Sequence, residues 1–150
     1  MKKRTKSRVW ALQAAYSMQL SGRSASQILD IFFKWRKVGE QNRELTTRLL
    51  ATLEANLEEV DALLAAHLEN WSPQRLAVID RLLIRLAVVE FLYFDDIPPK
   101  VTINEYVNLA HDYGTDDSPR FVNGVLDAVH KTIASRAPGL KPANGGGGEE

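Results

Sequence analysis

Residues 78–94, VIDRLLIRLAVVEFLYF, are apolar apart from Asp80, Arg81, Arg85 and Glu90. On a helix these apolar residues cover nearly every side, and such a helix cannot lie on a surface. The run is shorter than a membrane span and carries charges, so the chain itself has to enclose it. The other segments must then offer apolar faces to a central helix, and they do so with helical spacing. Val9, Leu12, Tyr16 and Leu20 stripe a helix over residues 3–20, ended by Ser21-Gly22. Ser24 or Ser26 can cap a second helix through QILDIFFKWRKV, closed by Gly39. A third is expected from about Gln41 to Leu68, with Leu45, Leu49, Leu50, Leu53, Leu57, Val60, Leu63 and Leu64 on its apolar stripe. In NWSPQRL, Ser72 as N-cap and Pro73 at the first helical position start a short helix before a break near Leu76–Val78. No segment alternates as a strand does.

Beyond the central run, DDIPPK reads as a loop that no helix crosses. Thr102 to Glu105, TINE, has the form of a capping box, and Gly114 closes the helix that follows. Ser118-Pro119 opens another. This last segment contains RFVNGVLDAV, where Asn123-Gly124 is a strong hairpin signal, yet Phe121, Val122, Val125, Leu126 and Val129 recur at helical spacing. The helix start at Ser118-Pro119 and the stop at Pro138 decide for a helix with Gly124 inside it. Glycine costs roughly 1 kcal/mol relative to alanine there, and the expected return is close approach of another backbone, that of the central helix. Residues 137–150, APGLKPANGGGGEE, read as a disordered tail after a single domain over residues 1–136.

Charge is where the sequence becomes informative about function. The formal net charge is zero, but residues 1–29 hold Lys2, Lys3, Arg4, Lys6, Arg8 and Arg23 and no acid. All 19 acidic residues follow, with 13 basic ones. A basic end on an acidic body points to an anionic partner. There is no cysteine, which excludes disulfides and thiolate metal sites. No signal-peptide pattern or spanning run is present, and a cytoplasmic protein is expected. The histidines His67, His111 and His130 fall on three separate helices without metalloprotease spacing, so no metal or cofactor is expected. Asp95, Asp96, Asp116 and Asp117 adjoin helix starts, where capping accounts for them. Nothing distinguishes a catalytic set, and the chain reads as a non-enzyme.

Two segments can contact nucleic acid. The basic residues at positions 2–8 open a helix, where the dipole disfavours positive charge. They are either a solvated end or a phosphate-binding arm that gains affinity by counterion release. Tyr16, two turns after Arg8, either packs in the core, as its spacing favours, or stacks on a base. In TDDSPRFVNG, Asp117, Arg120 and Phe121 cluster at a helix start whose N–H groups suit phosphate. Phe121 either packs in the core or stacks on an unpaired base, with Asp117 accepting from a base amino group.

The segment IDRLLIRLAVVEFLYFDDIPPKVTINEYVNLAHDYGTDDSPRFVNGVLD closely resembles the C-terminal half of the NusB family of transcription antitermination factors. The family's recurring elements stand here as Asp80-Arg81, Leu86-Ala87, Glu90, Pro98 to Val101, Ile103-Asn104-Glu105, Asp117-Ser118 and Phe121 to Asp127. RTKSRVWALQAAYSMQLSG resembles the family's arginine-rich first helix, with A-x-Q-A-x-Y at Ala11 to Tyr16. Together these cover most of residues 4–131, while residues 22–75 match in length and helical pattern alone. The resemblance implies an all-α fold of about seven helices in two three-helix bundles. It implies binding of the boxA element of nascent ribosomal RNA transcripts, together with NusE, a small-subunit ribosomal protein, and delivery to RNA polymerase. It implies an RNA site of Lys3, Arg4, Lys6, Arg8 and Tyr16, joined by Asp117, Arg120 and Phe121. Asp80, Arg81 and His67 become candidates for the face that meets the ribosomal protein. This N-terminus mixes Lys, Thr and Ser where relatives have several arginines, and Lys lacks the bidentate fork of Arg. Pro119, Arg120 and NWSPQRL also depart from the family pattern.

Three other readings compete. A protein-only adaptor would bind the ribosomal protein without specific RNA recognition. A homodimer, as in some relatives, would hide the RNA site. A NusB-like domain of an RNA methyltransferase would require a following cofactor domain with a glycine-rich loop, which this sequence does not contain.

Overall fold

A computed structural model of the chain describes residues 3–68 and 76–136. Among the described residues there are seven α-helices and no β-strand. They are α1 (Lys3–Ser21), α2 (Ala25–Trp35), α3 (Glu40–Ala55), α4 (Leu57–His67), α5 (Val78–Tyr93), α6 (Pro99–Tyr113) and α7 (Ser118–Ser135). The helices divide into two compact units that meet in sequence between Leu57 and Glu58.

In the first unit α1, α2 and α3 pack pairwise as a three-helix bundle. Ala11, Ala14 and Ala15 are buried beside Val9 and Leu12, and small residues of this kind let helix axes come close. Ile28, Leu29 and Phe32 of α2 and Leu45, Leu49, Leu50 and Leu53 of α3 complete the core. Polar contacts fix the register: the Ser7 hydroxyl donates to Asn42 Oδ1 at 3.0 Å, and Thr46 Oγ1 donates to the Ser7 carbonyl at 2.9 Å. Gly22 ends α1 in the left-handed region at φ 75°. Ser24 then caps α2 in a full capping box with Gln27. α2 stops at Trp35, earlier than its apolar spacing predicts. Gly39 is the N-cap of α3 rather than the end of α2.

The expected continuous helix over 41–68 is two helices. At Asn56 the backbone N–H is shared between the Thr52 and Leu53 carbonyls, and the side-chain amide also donates to the Thr52 carbonyl at 2.8 Å. A side chain that bonds its own backbone competes with helix propagation. Leu57, just past the break, is exposed, while Val60, Leu63 and Leu64 of α4 are buried.

The second unit is built on α5. From Asp80 to Leu92 every residue except Arg85 is buried, as the all-round apolar pattern requires. α6 and α7 pack on α5 and on each other, giving the second three-helix bundle. The loop before α6 is shorter than expected, because Pro98 is the N-cap and Pro99 occupies the first turn. Thr102 is therefore inside α6 and is not a capping-box residue. Its hydroxyl donates to Glu90 Oε1 at 2.7 Å, and the Tyr106 hydroxyl donates to Glu90 Oε2 at 2.7 Å. A carboxylate buried at the centre of α5 thus holds α6 in register. Gly114 closes α6, as predicted. A Cβ there would fall 2.6 Å from Ser118 Cβ and 2.8 Å from the Ala110 carbonyl oxygen, so the α6–α7 corner admits only glycine. The Ser72-Pro73 start and the tail over 137–150 lie outside the described residues.

Candidate nucleic-acid interface

The candidate residues of the basic arm all sit on α1 and fare differently. Lys3 opens the helix, and its side chain lies outside the described part of the chain. Arg4 is exposed. Lys6 is half-buried, with its ammonium 5.2 Å from the centroid of the Trp10 ring, a cation–π placement one turn along. Arg8 is only 1% exposed and engaged within the protein, so its guanidinium is not a free surface charge. Tyr16 is 40% exposed, against the core packing that its spacing favoured. It stands about 18 Å along the helix from Arg4 at 1.5 Å per residue. No acidic residue lies in the first turn of α1, where the helix dipole would favour one.

The second candidate cluster opens α7. Asp117 is the N-cap by position, but its carboxylate makes no capping hydrogen bond, and its backbone is helical at φ −88°, ψ −12°. Capping therefore does not account for it. α7 thus starts without a side-chain cap, and the turn before it is held instead by buried Ser118, whose Oγ accepts the Thr115 N–H at 2.9 Å. Asp117 and Arg120 are exposed, and Phe121 is half-buried. These three residues line a groove of about 590 Å³ with Gly124, Val125, Ala128, His67 and Leu68. That is within the range of small-ligand sites, roughly 300–1,000 Å³.

His67, at the end of α4, is held in this groove by two bonds. Its Nδ1 lies 3.1 Å from the Leu63 carbonyl, and its Nε2 lies 2.7 Å from Thr132 Oγ1. A carbonyl can only accept, so Nδ1 carries the proton, and in the neutral ring Nε2 accepts from the threonine hydroxyl. This ties the end of α4 to α7. His67 was a candidate for the ribosomal-protein face; in space it joins the candidates for RNA.

Asp80 and Arg81 are 8% and 2% exposed. Among the described residues, Asp80 Oδ1 and Arg81 Nε and Nη1 have no hydrogen-bond partner. Burial, and then the Arg85 charge, pull the Arg81 guanidinium below its ordinary pKa; Asp61 partly offsets this. Asp61 itself is held by Arg85 in a two-bond fork, Nε to Oδ1 and Nη2 to Oδ2, each 2.9 Å. This pair was not singled out in the sequence.

The expectation for Gly124 is overturned. No backbone approaches it: a Cβ built there would meet nothing within 4 Å, and the residue is exposed on the groove. Sequence reading also missed Ala128, Val125 and Leu68. The available signal was the stripe Asp117, Phe121, Gly124, Ala128, a periodicity with an aromatic ring and two small residues on one exposed face. Among the described residues there is no metal-ligating cluster of His, Asp or Glu, and no helix is long and apolar enough to cross a membrane.

The NusB family model matches residues 5–131. The transcription antitermination protein NusB of Pseudothermotoga lettingae is 37% identical over 134 residues, covering 89% of this chain and 95% of that protein. That of Chloroherpeton thalassium is 40% identical over 94 residues, 63% of this chain and 44% of that protein. Among solved structures, T. maritima NusB superposes with a TM-score of 0.78 at 35% identity, covering 85% of this chain and 90% of that one. A complex of antitermination factors NusB and NusE with double-stranded RNA gives 0.77 at 26% identity, covering 88% and 98%.

Proposed function

The chain belongs to the NusB family, and from that premise we propose that it binds boxA-type RNA of nascent ribosomal RNA transcripts, together with a NusE-like ribosomal protein, in the cytoplasm. The complex then acts on RNA polymerase to suppress premature termination. The observation that carries the RNA half is the groove at the start of α7, where a half-buried Phe121, an uncapped Asp117 carboxylate and an exposed Arg120 line one cavity. An aromatic ring that stacks, an acceptor for a base amino group and a cation for phosphate are what an unpaired base needs. The likeness to a NusB that was solved with NusE and double-stranded RNA supports the coarser reading, that the chain binds RNA together with a NusE-like protein.

On the basic arm, Arg4, Lys3 and Lys6 supply phosphate contacts and Tyr16 a second stacking ring. Arg8 acts from within α1, holding the arm's geometry. Asp80 and Arg81, at the start of α5, are assigned to the ribosomal-protein face as buried residues that hold its geometry from beneath. No step of this function is catalytic.

The test is fluorescence anisotropy of a labelled boxA-type RNA titrated with the protein, at two salt concentrations, with and without the NusE-like protein. Salt-sensitive preference for boxA over a scrambled RNA, strengthened by the partner, is the expected result. No preference for boxA with the partner present removes the RNA mechanism and leaves the protein-only adaptor.

A further inference from the structure

Gly124 has no conformational or packing reason to be glycine. It lies inside α7, and its φ is not positive. A Cβ would have open space. Alanine would fit and would favour the helix. What the missing side chain does is shape the groove. Asp117, Phe121, Gly124 and Ala128 lie three or four residues apart, on one stripe of α7, and all line the cavity. Helical side chains lean toward the N-terminus of their helix. A side chain at 124 would therefore lean over the turn carrying Arg120 and Phe121 and occupy the space beside the ring.

We infer that Gly124 is the residue that admits an unpaired RNA base to this groove: its absent side chain leaves a slot beside Phe121 that a flat base can enter. This rests on the RNA-binding reading above and goes further, to the element that sets the shape of the subsite. His67 and Leu68, at the end of α4, close the slot, and the bonds of His67 to Leu63 and Thr132 keep that wall in place. The Asp117 carboxylate is available to a base amino group because the helix does not use it as a cap. Arg120 is placed for the adjoining phosphate. The occupant is single-stranded, since stacking on a side-chain ring requires a base face that a duplex covers.

The experiment uses the full chain and a labelled boxA-type single-stranded RNA, with thermal melts alongside. Gly124→Ala is expected to raise Tm by about 2–4 °C, as removal of a helical glycine does, while RNA affinity falls. Gly124→Leu is expected to lose roughly tenfold or more in affinity, the range of a lost base stack, and to stay folded because its position is open. In an abasic scan of the RNA, one position is expected whose removal weakens the wild type but leaves Gly124→Leu unchanged. If both Gly124 variants bind RNA like the wild type while Phe121→Ala binds less well, the RNA reading stands and the slot is wrong. If Gly124→Leu loses the NusE-like protein and keeps RNA, the slot is equally overturned. If the wild type shows no boxA preference with the partner present, the RNA reading fails and takes the slot with it.

Discussion

At the residue scale Gly114, before α7, and Gly124, inside it, have opposite reasons to exist. Gly114 is enforced by contact, since the Ala110 carbonyl and Ser118 leave no room for a Cβ. Gly114→Ala is expected to destabilise by roughly 1–3 kcal/mol, the scale of an overpacked site, read as a lower urea midpoint. At Gly124 the same change meets open space. The basic residues of α1 divide in the same way. Arg8 is enclosed, so Arg8→Ala is expected to cost roughly 1–3 kcal/mol of stability, seen as a lowered Tm. Arg4→Ala with Lys6→Ala should leave Tm near the wild type and reduce the salt slope of RNA binding by roughly 0.7 per lost phosphate contact. A large Tm loss in that pair would place these side chains in the core, against their surface role.

At the scale of elements, the pairing of α5 with α6 turns on one carboxylate. Glu90 accepts both the Thr102 and the Tyr106 hydroxyl inside the core, and removing it strands two donors. Glu90→Ala is expected to destabilise by roughly 2–4 kcal/mol, since each orphaned buried group costs about 1–3. Thr102→Val, which loses one bond, should cost about 1 kcal/mol. Urea unfolding of the two variants measures both. Equal small effects would mean that packing alone sets the α5–α6 register. The capping box at Ser24 is local and exposed, and Ser24→Ala should cost about 1 kcal/mol. The sequence left Ser24 and Ser26 open as this cap, and the reciprocal bond with Gln27, three residues on, decides for Ser24. TINE has the same pattern but begins three residues inside a helix that Pro98 and Pro99 had already started. A local motif does not reveal that its hydroxyl is claimed by a residue twelve positions earlier.

At the scale of the whole molecule, charge is segregated along a neutral chain, so RNA affinity must come from local cations and fall steeply with salt. With four engaged cations, Lys3, Arg4, Lys6 and Arg120, and a slope of about 0.7 per contact, raising salt from 50 to 200 mM should weaken binding roughly 50-fold. A salt-independent affinity for the partner complex would favour the adaptor reading. The sequence by itself determined the helical class, the central helix, the stops at Gly22 and Gly114, the start of α7 and the family, because each is written in residues close together or in periodicity. The tertiary structure alone decided which polar groups are buried. Arg8 and Glu90 read as helix-face charges until other elements enclose them. It alone also showed that Asn56 divides α3 from α4, that His67 joins Phe121 in one groove, and that Gly124 opens onto that groove instead of packing on α5. Burial and open space are set by residues distant in sequence, and no local pattern encodes them.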